Sequence, residues 1–186
     1  SGEETVEDLI NFDITPSVFT YEFAKALSYE AERKEKVTKI HIKIDTGMSR
    51  IGFLAGENNE EIVDEIIKIS KLPYIEIEGI FSHFATSDEY DKSYTLLQYG
   101  RFMDVCNRLE EKGLNIPIKH ICNSAGIMMY PEMHLDMVRP GVILYGMYPS
   151  DEVDKSRLDL IPAMTLKSTI THIKEVEPGR GVSYGK

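Results

Sequence analysis

Arg50 sits in the stretch HIKIDTGMSRIG, residues 41–52, on a glycine-rich turn that closes a strand-like run. A guanidinium is permanently charged and presents a rigid fork of donors, so in that place it suits an anionic or phenolate oxygen better than a packing role. Other polar residues fall at equivalent places. Lys43 and Asp45 lie just before it, Ser82 and His83 end IEIEGIFSH, Asn123 and Ser124 end IKHICNS, and Arg139 and Gly141 interrupt MVRPGV. Taken singly, each has an ordinary explanation: His83 reads as a satisfied core histidine, and Asn123 with Ser124 as the cap of the short helix AGIMMY. Taken together they mark successive strand ends. A serine at a helix start followed by small residues also makes an anion site from backbone N–H groups. The glycine of RPGV gives a phosphate a second place to approach the backbone.

The elements that must position these residues alternate along the chain. SVFT (17–20), TKIHIKI (38–44), IEIEGIFSH (75–83), IKHICN (118–123) and MVRPGVILYG (137–146) are short apolar runs bounded by polar or Gly/Pro signals, and they predict strands. Between them YEFAKALSYEAERKEK, NEEIVDEIIKISK and YTLLQYGRFMDVCNRLEEKG carry apolar residues at three-and-four spacing and predict helices, the last stopping at Gly113. Strand and helix in alternation imply a parallel sheet. In such a sheet, function collects at the carboxyl ends of the strands, where the polar residues fall. After about residue 160 the pattern changes. AMTLKSTITHIKEVEPG alternates polar and apolar with no helix to follow, and predicts an antiparallel strand opening a different domain.

Composition narrows the function classes. The 186 residues suffice for one good-sized domain with a core. With 21 basic against 31 acidic residues the net charge is −10, which argues against nucleic acid or an anionic membrane as the main partner. The acidic run NNEEIVDEIIK reads as a solvated helix face, and no metal site is expected. Cys106 and Cys122 lie in segments that read as a helix and a buried strand, so reduced thiols and a cytoplasmic protein are expected. No apolar run reaches membrane-spanning length.

HIKIDTGMSRIGF, EGIFSHFATSDE, HICNSAG, MVRPGVILYGMYP and the terminal VSYG, in this order, resemble successive landmarks of the alanine racemase family. The resemblance runs from about residue 15 to the end. It implies a pyridoxal 5'-phosphate enzyme, part of a (β/α)8 barrel (about strands 4–8) over residues 1–158, and the start of a C-terminal β domain over 159–186. The implied reaction interconverts L- and D-alanine and supplies D-alanine for peptidoglycan. Arg50 matches the arginine that bonds the cofactor's phenolic oxygen and approaches the substrate carboxylate. Lys43 matches a lysine that many members carbamylate, turning a cation into an anion able to orient Arg50. Ser124, with the backbone at Gly141 and Val142, holds the phosphate, with Asn123 beside them. Arg139 faces the pyridine nitrogen and disfavours its protonation. Tyr184 matches the catalytic tyrosine that enters the partner subunit's site in a homodimer, linked through His83 to Arg139. A free tyrosine has a pKa of about 10, so that link must tune it.

The family's Schiff-base lysine belongs to a segment that these residues do not contain. AKALSYEA (24–31) mimics its opening but continues a helical period, so Lys25 is not expected to be the anchor. The expectation is an interior fragment of a racemase, inactive on its own. Ser49 stands where the family prefers a smaller residue. A serine racemase with the same body and a non-catalytic cofactor-binding barrel remain as alternatives. The tail ending in VSYG favours the racemase over the latter, and over a decarboxylase on a similar barrel.

Overall fold

The computed structural model describes residues 5–184. Its centre is β2 (Thr38–Asp45), whose sequence TKIHIKID alternates strictly. Side chains of a strand point to opposite faces with a period of two. Ile40, Ile42 and Ile44 therefore face the helices and are fully buried, while His41, Lys43 and Asp45 share the other face. A short β1 (Ser17–Val18) and a long β4 (Ile75–Phe81) flank it, and β5 (Ile118–His120) follows β4. All pairings are parallel. The two-residue β3 (Phe53–Leu54) pairs with the last residues of β2.

Helices α2 (Tyr21–Arg33), α3 (Glu60–Ile69) and α4 (Ser93–Glu111) cover the apolar face. In α2 the buried Ala24, Leu27, Ser28 and Ala31 follow three-and-four spacing, and Thr20 caps the start by accepting from the Phe23 N–H at 3.3 Å. In α4 the stripe is Thr95, Gln98, Phe102, Val105, Cys106 and Leu109. That helix ends as the sequence predicts. Gly113 adopts φ +85°, its N–H reaches Glu110 O, and the Leu114 N–H closes back to Leu109 O, a glycine stop that satisfies two orphan carbonyls. Val63, Ile66, Phe102, Leu109 and the three isoleucines of β2 belong to one core. This layering, a parallel sheet covered by helices, is a section of a (β/α)8 barrel.

Three expectations need correction, and one helix was not expected. The predicted strands 75–83 and 118–123 stop at Phe81 and His120, after which the backbone peels away into loops. The predicted strand 137–146 lies along the free edge of β5 but forms no ladder. Among the described residues one backbone bond ties it there, from Arg139 N to Cys122 O (3.0 Å), after one from the preceding Asp136 N to Lys119 O (3.1 Å). Pro140 then has no N–H to give, and Val142–Tyr145 turns into a 3-10 helix closed by Gly146 at φ +75°. The predicted strand in 163–179 is irregular and exposed among the described residues, because an alternating segment needs a partner to become a strand. The unexpected helix, α1 (Val6–Asn11), packs Val6 and Ile10 into the core.

Candidate active site

Arg139 organises the strand ends. One terminal nitrogen of its guanidinium donates to His120 Nδ1; the other donates to Ser82 O (2.7 Å), His83 Nδ1 (3.1 Å) and Ile121 O (3.4 Å). Its Nε–H has no hydrogen-bond partner among the described residues. Burial brings the Arg139 pKa down to about 10, and Arg50 pushes the same way, so the group stays charged at neutral pH. The surroundings respond to that charge. Burial, then Arg139, lowers His83 to about 4 and His120 to about 3, which leaves both imidazoles neutral at pH 7. Lys43 falls to about 8, first through burial and then through Arg139, with a smaller push from Arg50 against the pull of Asp45. Phe81 fills the space between them: Lys43 Nζ and the Arg139 guanidinium each lie 5.1 Å from its centroid, and His120 stacks on it at 4.8 Å. In a chain of net charge −10, three cations thus gather at one end of the sheet, where an anion can balance them.

The loop that carries Arg50 is held from two sides. Asp45, 6% exposed, accepts from the N–H groups of Gly47 (2.9 Å) and Ser49 (3.0 Å) through Oδ1. Gly47 (φ +136°), Ser49 (φ +57°) and Gly52 (φ +133°) give the loop its reversed turns, and a Cβ at Gly52 would strike the backbone of Asp45. From the other side α4 presents Tyr94, Gln98 and Arg101 along one stripe. Tyr94 Oη donates to Gly47 O (2.8 Å) and Arg101 to Thr46 O (3.1 Å). Gln98, fully buried, donates to Thr46 Oγ1 (3.2 Å) and His83 O (3.1 Å) and accepts from the Ala85 N–H (2.8 Å). The loops after β2 and β4 are therefore tied through one side chain. Arg50 itself is exposed at the loop's rim.

A cleft of about 290 Å³ adjoins Arg139, lined by His83, Asn123, Ser124, Gly141, Val142 and Asp88 among others. Asn123 caps α5 (Ser124–Met129), accepting from the Gly126 N–H at 2.9 Å, and also accepts from Ser87 Oγ at 2.8 Å. The ordinary explanation of Asn123 is thus met. Ser124 does something else: its hydroxyl accepts from the Gly141 N–H at 2.8 Å. The hydroxyl and the glycine N–H are bonded to each other at the cleft, and both are groups from which a phosphate oxygen can accept. Asp88 is the acidic group on that lining and opposes an anion there.

The structure brings together Lys43, His83, Ser124, Arg139 and Gly141, with Asn123 and Val142 on the rim and the Arg50 charge close enough to act on them. Tyr184 is not among them. It is fully exposed at the end of the irregular tail. Lys25 lies on the outer face of α2, in a separate and larger groove of about 530 Å³ with Glu7, Glu22 and Tyr29, away from the strand ends. Sequence reasoning missed His41, His120, Glu78 and Gln98. His41 and Gln98 had a signal: His41, Lys43 and Asp45 put three polar residues on one face of β2, and Tyr94, Gln98 and Arg101 share a helical stripe. Among the described residues no His/Cys/Asp/Glu group is arranged to hold a metal ion, and no helix is long and apolar enough to cross a membrane.

Known proteins share this arrangement. The profile described as "Alanine racemase, N-terminal domain" matches residues 1–149. The alanine racemase of Clostridium tetani is 54% identical over 184 residues, which is 99% of this chain and 47% of that protein. That of Desulforamulus reducens is 49% identical over 98% of this chain and 48% of its own length. The solved structure of the Clostridium difficile 630 alanine racemase in complex with cycloserine superposes with a TM-score of 0.89 at 48% identity, covering 94% of this chain and 47% of that one. The chain spans about half the length of the curated relatives it matches, and it belongs to the alanine racemase family.

Proposed function

We propose that the protein is a pyridoxal-phosphate-dependent racemase that interconverts L- and D-alanine in the cytoplasm, and that residues from 159 onward open its second domain. One observation carries the reading. Arg139 is locked by His120, His83 and two carbonyls beside the cleft, and its Nε–H is left for an acceptor from outside the described residues. When bound, pyridoxal phosphate supplies an electron sink that acidifies the α-hydrogen of an amino acid joined to it. The chain's own residues do the rest. Ser124 Oγ and the Gly141 N–H, now bonded to each other, would together with the Val142 N–H hold the phosphate. Arg139 would face the ring nitrogen and, being charged, disfavour its protonation, which would limit the sink. Arg50, on its braced loop, would hold the substrate carboxylate and the phenolic oxygen of the cofactor. Lys43 has a pKa of about 8, so a usable share of neutral amine is available to add carbon dioxide and release a proton, and the carbamate anion so formed would orient Arg50.

Proton transfer at one face of the α-carbon would fall to Tyr184, with neutral His83 as the hydrogen-bonded link between it and Arg139. Tyr184 is fully exposed and touches neither within one chain, and in the homodimer we propose each copy lends its tyrosine to the other. The cofactor-bearing lysine acts on the opposite face and comes from residues other than these. Incubating the full-length protein and cofactor with L-alanine and separating enantiomers on a chiral column tests the reading. D-alanine should accumulate to parity, and Tyr184→Phe should slow it on the order of a hundredfold. A full-length protein that forms no D-alanine overturns the proposal.

A further inference from the structure

His120 does not end the network at Arg139. Its Nε2 lies 2.9 Å from His41 Nδ1, and His41 Nε2 lies 3.3 Å from Glu78 Oε2, whose other oxygen accepts from Lys39 at 2.7 Å. Arginine can only donate and a carboxylate can only accept, so one polarity satisfies the whole row. Arg139 donates to His120 Nδ1, His120 Nε2–H donates to His41 Nδ1, and His41 Nε2–H donates to Glu78. Both imidazoles are then neutral and carry their proton on Nε2. The depressed pKa of His120, caused by burial and Arg139, agrees with that assignment.

Two backbone features are built around this row. In the pairing of β2 with β4, Ile40 opposes Ile77 while His41 opposes Gly79, so Glu78 is the extra residue of a bulge. A bulge re-aims a side chain, and here it turns the Glu78 carboxylate toward the His41 ring. At Gly79 an added Cβ would lie 2.5 Å from Cε1 and 2.6 Å from Nδ1 of that ring, so only glycine leaves His41 its place. A bulge, a glycine and three side chains on separate strands converge on one bond to Arg139.

We propose that His41 and Glu78 are positioning residues: acting through His120, they fix the angle at which Arg139 presents its guanidinium to the cleft. The cofactor-facing role of Arg139 rests on the proposed function; the polarity of the row does not. In the chain labelled with 15N-histidine and 15N-arginine, neutral-pH spectra should show His41 and His120 as neutral Nε2–H tautomers and Arg139 with separate, slowly exchanging Nη signals. His41→Leu should speed Arg139 guanidinium rotation on the order of tenfold, the scale of one lost charge-assisted hydrogen bond. His41→Gln, whose amide can accept from His120 and donate to Glu78, should restore slow rotation. Gly79→Ala, which displaces the His41 ring while leaving every titratable residue in the sequence, should speed it too. A His120 proton on Nδ1, or rotation unchanged in both His41→Leu and Gly79→Ala, overturns the proposal. These signals need no cofactor. A failed pyridoxal phosphate titration with them intact would overturn the proposed function alone, and lost signals with an intact titration would overturn the relay alone.

Discussion

The strand ends and the tail beyond residue 159 have the same kind of sequence, apolar residues alternating with polar ones, and opposite fates. In β2 the alternation finds neighbours on both sides, so Ile40, Ile42 and Ile44 are sealed and His41, Lys43 and Asp45 are held within hydrogen-bonding reach of partners or of the cleft. In the tail Leu166, Ile170 and Ile173 are 99, 77 and 82% exposed, and Tyr184 touches nothing. The difference teaches that one half of the proposed site, the cluster around Arg139 and the Ser124–Gly141 bond, is assembled by these residues alone. The proposed proton-transfer half is not, since Tyr184 is fully exposed within residues 5–184.

The largest effect expected from that contrast is in hydrogen exchange. Amides of Ile40–Ile44 should be protected at least about a thousandfold more than those of 165–183, since core strands open only with much of the fold and unpaired segments open freely. Equal protection would mean the tail has found a partner, and size measurement on the same sample would show whether that partner is a second copy.

Glycine substitutions sharpen the comparison. Gly52→Ala drives a Cβ into the backbone of β2 at a left-handed position, and should cost roughly 2–4 kcal/mol by urea unfolding. Gly179→Ala, also at positive φ but with nothing within 4 Å, should cost less than about 1 kcal/mol. Comparable losses would show that the tail is ordered after all.

The histidines set the response to acid. His83 and His120 have folded pKa values of about 4 and about 3, below the ordinary value of 6.5, so between those limits the unfolded chain binds more protons than the folded one. Stability is then fully present above pH 6.5 and falls as pH drops toward 3. Replacing His120 with Gln should flatten that slope, and an unchanged slope would show that it does not arise at the site.

A small effect is also expected at the cap. Asn123→Ala removes the acceptor of the Gly126 and Ser87 bonds and should cost about 1 kcal/mol. The change should leave the Gly113 end of α4 untouched.

Much of this was legible beforehand. The three-and-four spacing in 21–33, 60–69 and 93–111 and the alternation of 38–45 gave the layers, because each element's apolar face must be buried and only one period suits each. The strand-end rule then located Lys43, Arg50, His83, Ser124 and Arg139 without coordinates. The row leading to Glu78 was not legible, because a bulge depends on the register between two strands and neither sequence announces it. MVRPGVILYG looked like a strand because its residues favour one. Pro140 and the turn at Gly146 decided otherwise, and a propensity yields readily to the loss of a single donor. The tail's alternation was real, but its consequence depends on a partner that no local pattern can supply.

The claim that the strand ends alone form the anion-gripping half of the site is tested most directly by titrating pyridoxal phosphate into the 15N-labelled chain and mapping the amides that move. The expected result is shifts at Ser124, Ala125, Gly141 and Val142 as the Ser124–Gly141 bond gives way to phosphate, with residues 165–183 unmoved. Shifts confined to the groove around Lys25, or none at Ser124 and Gly141 at millimolar cofactor, would contradict it.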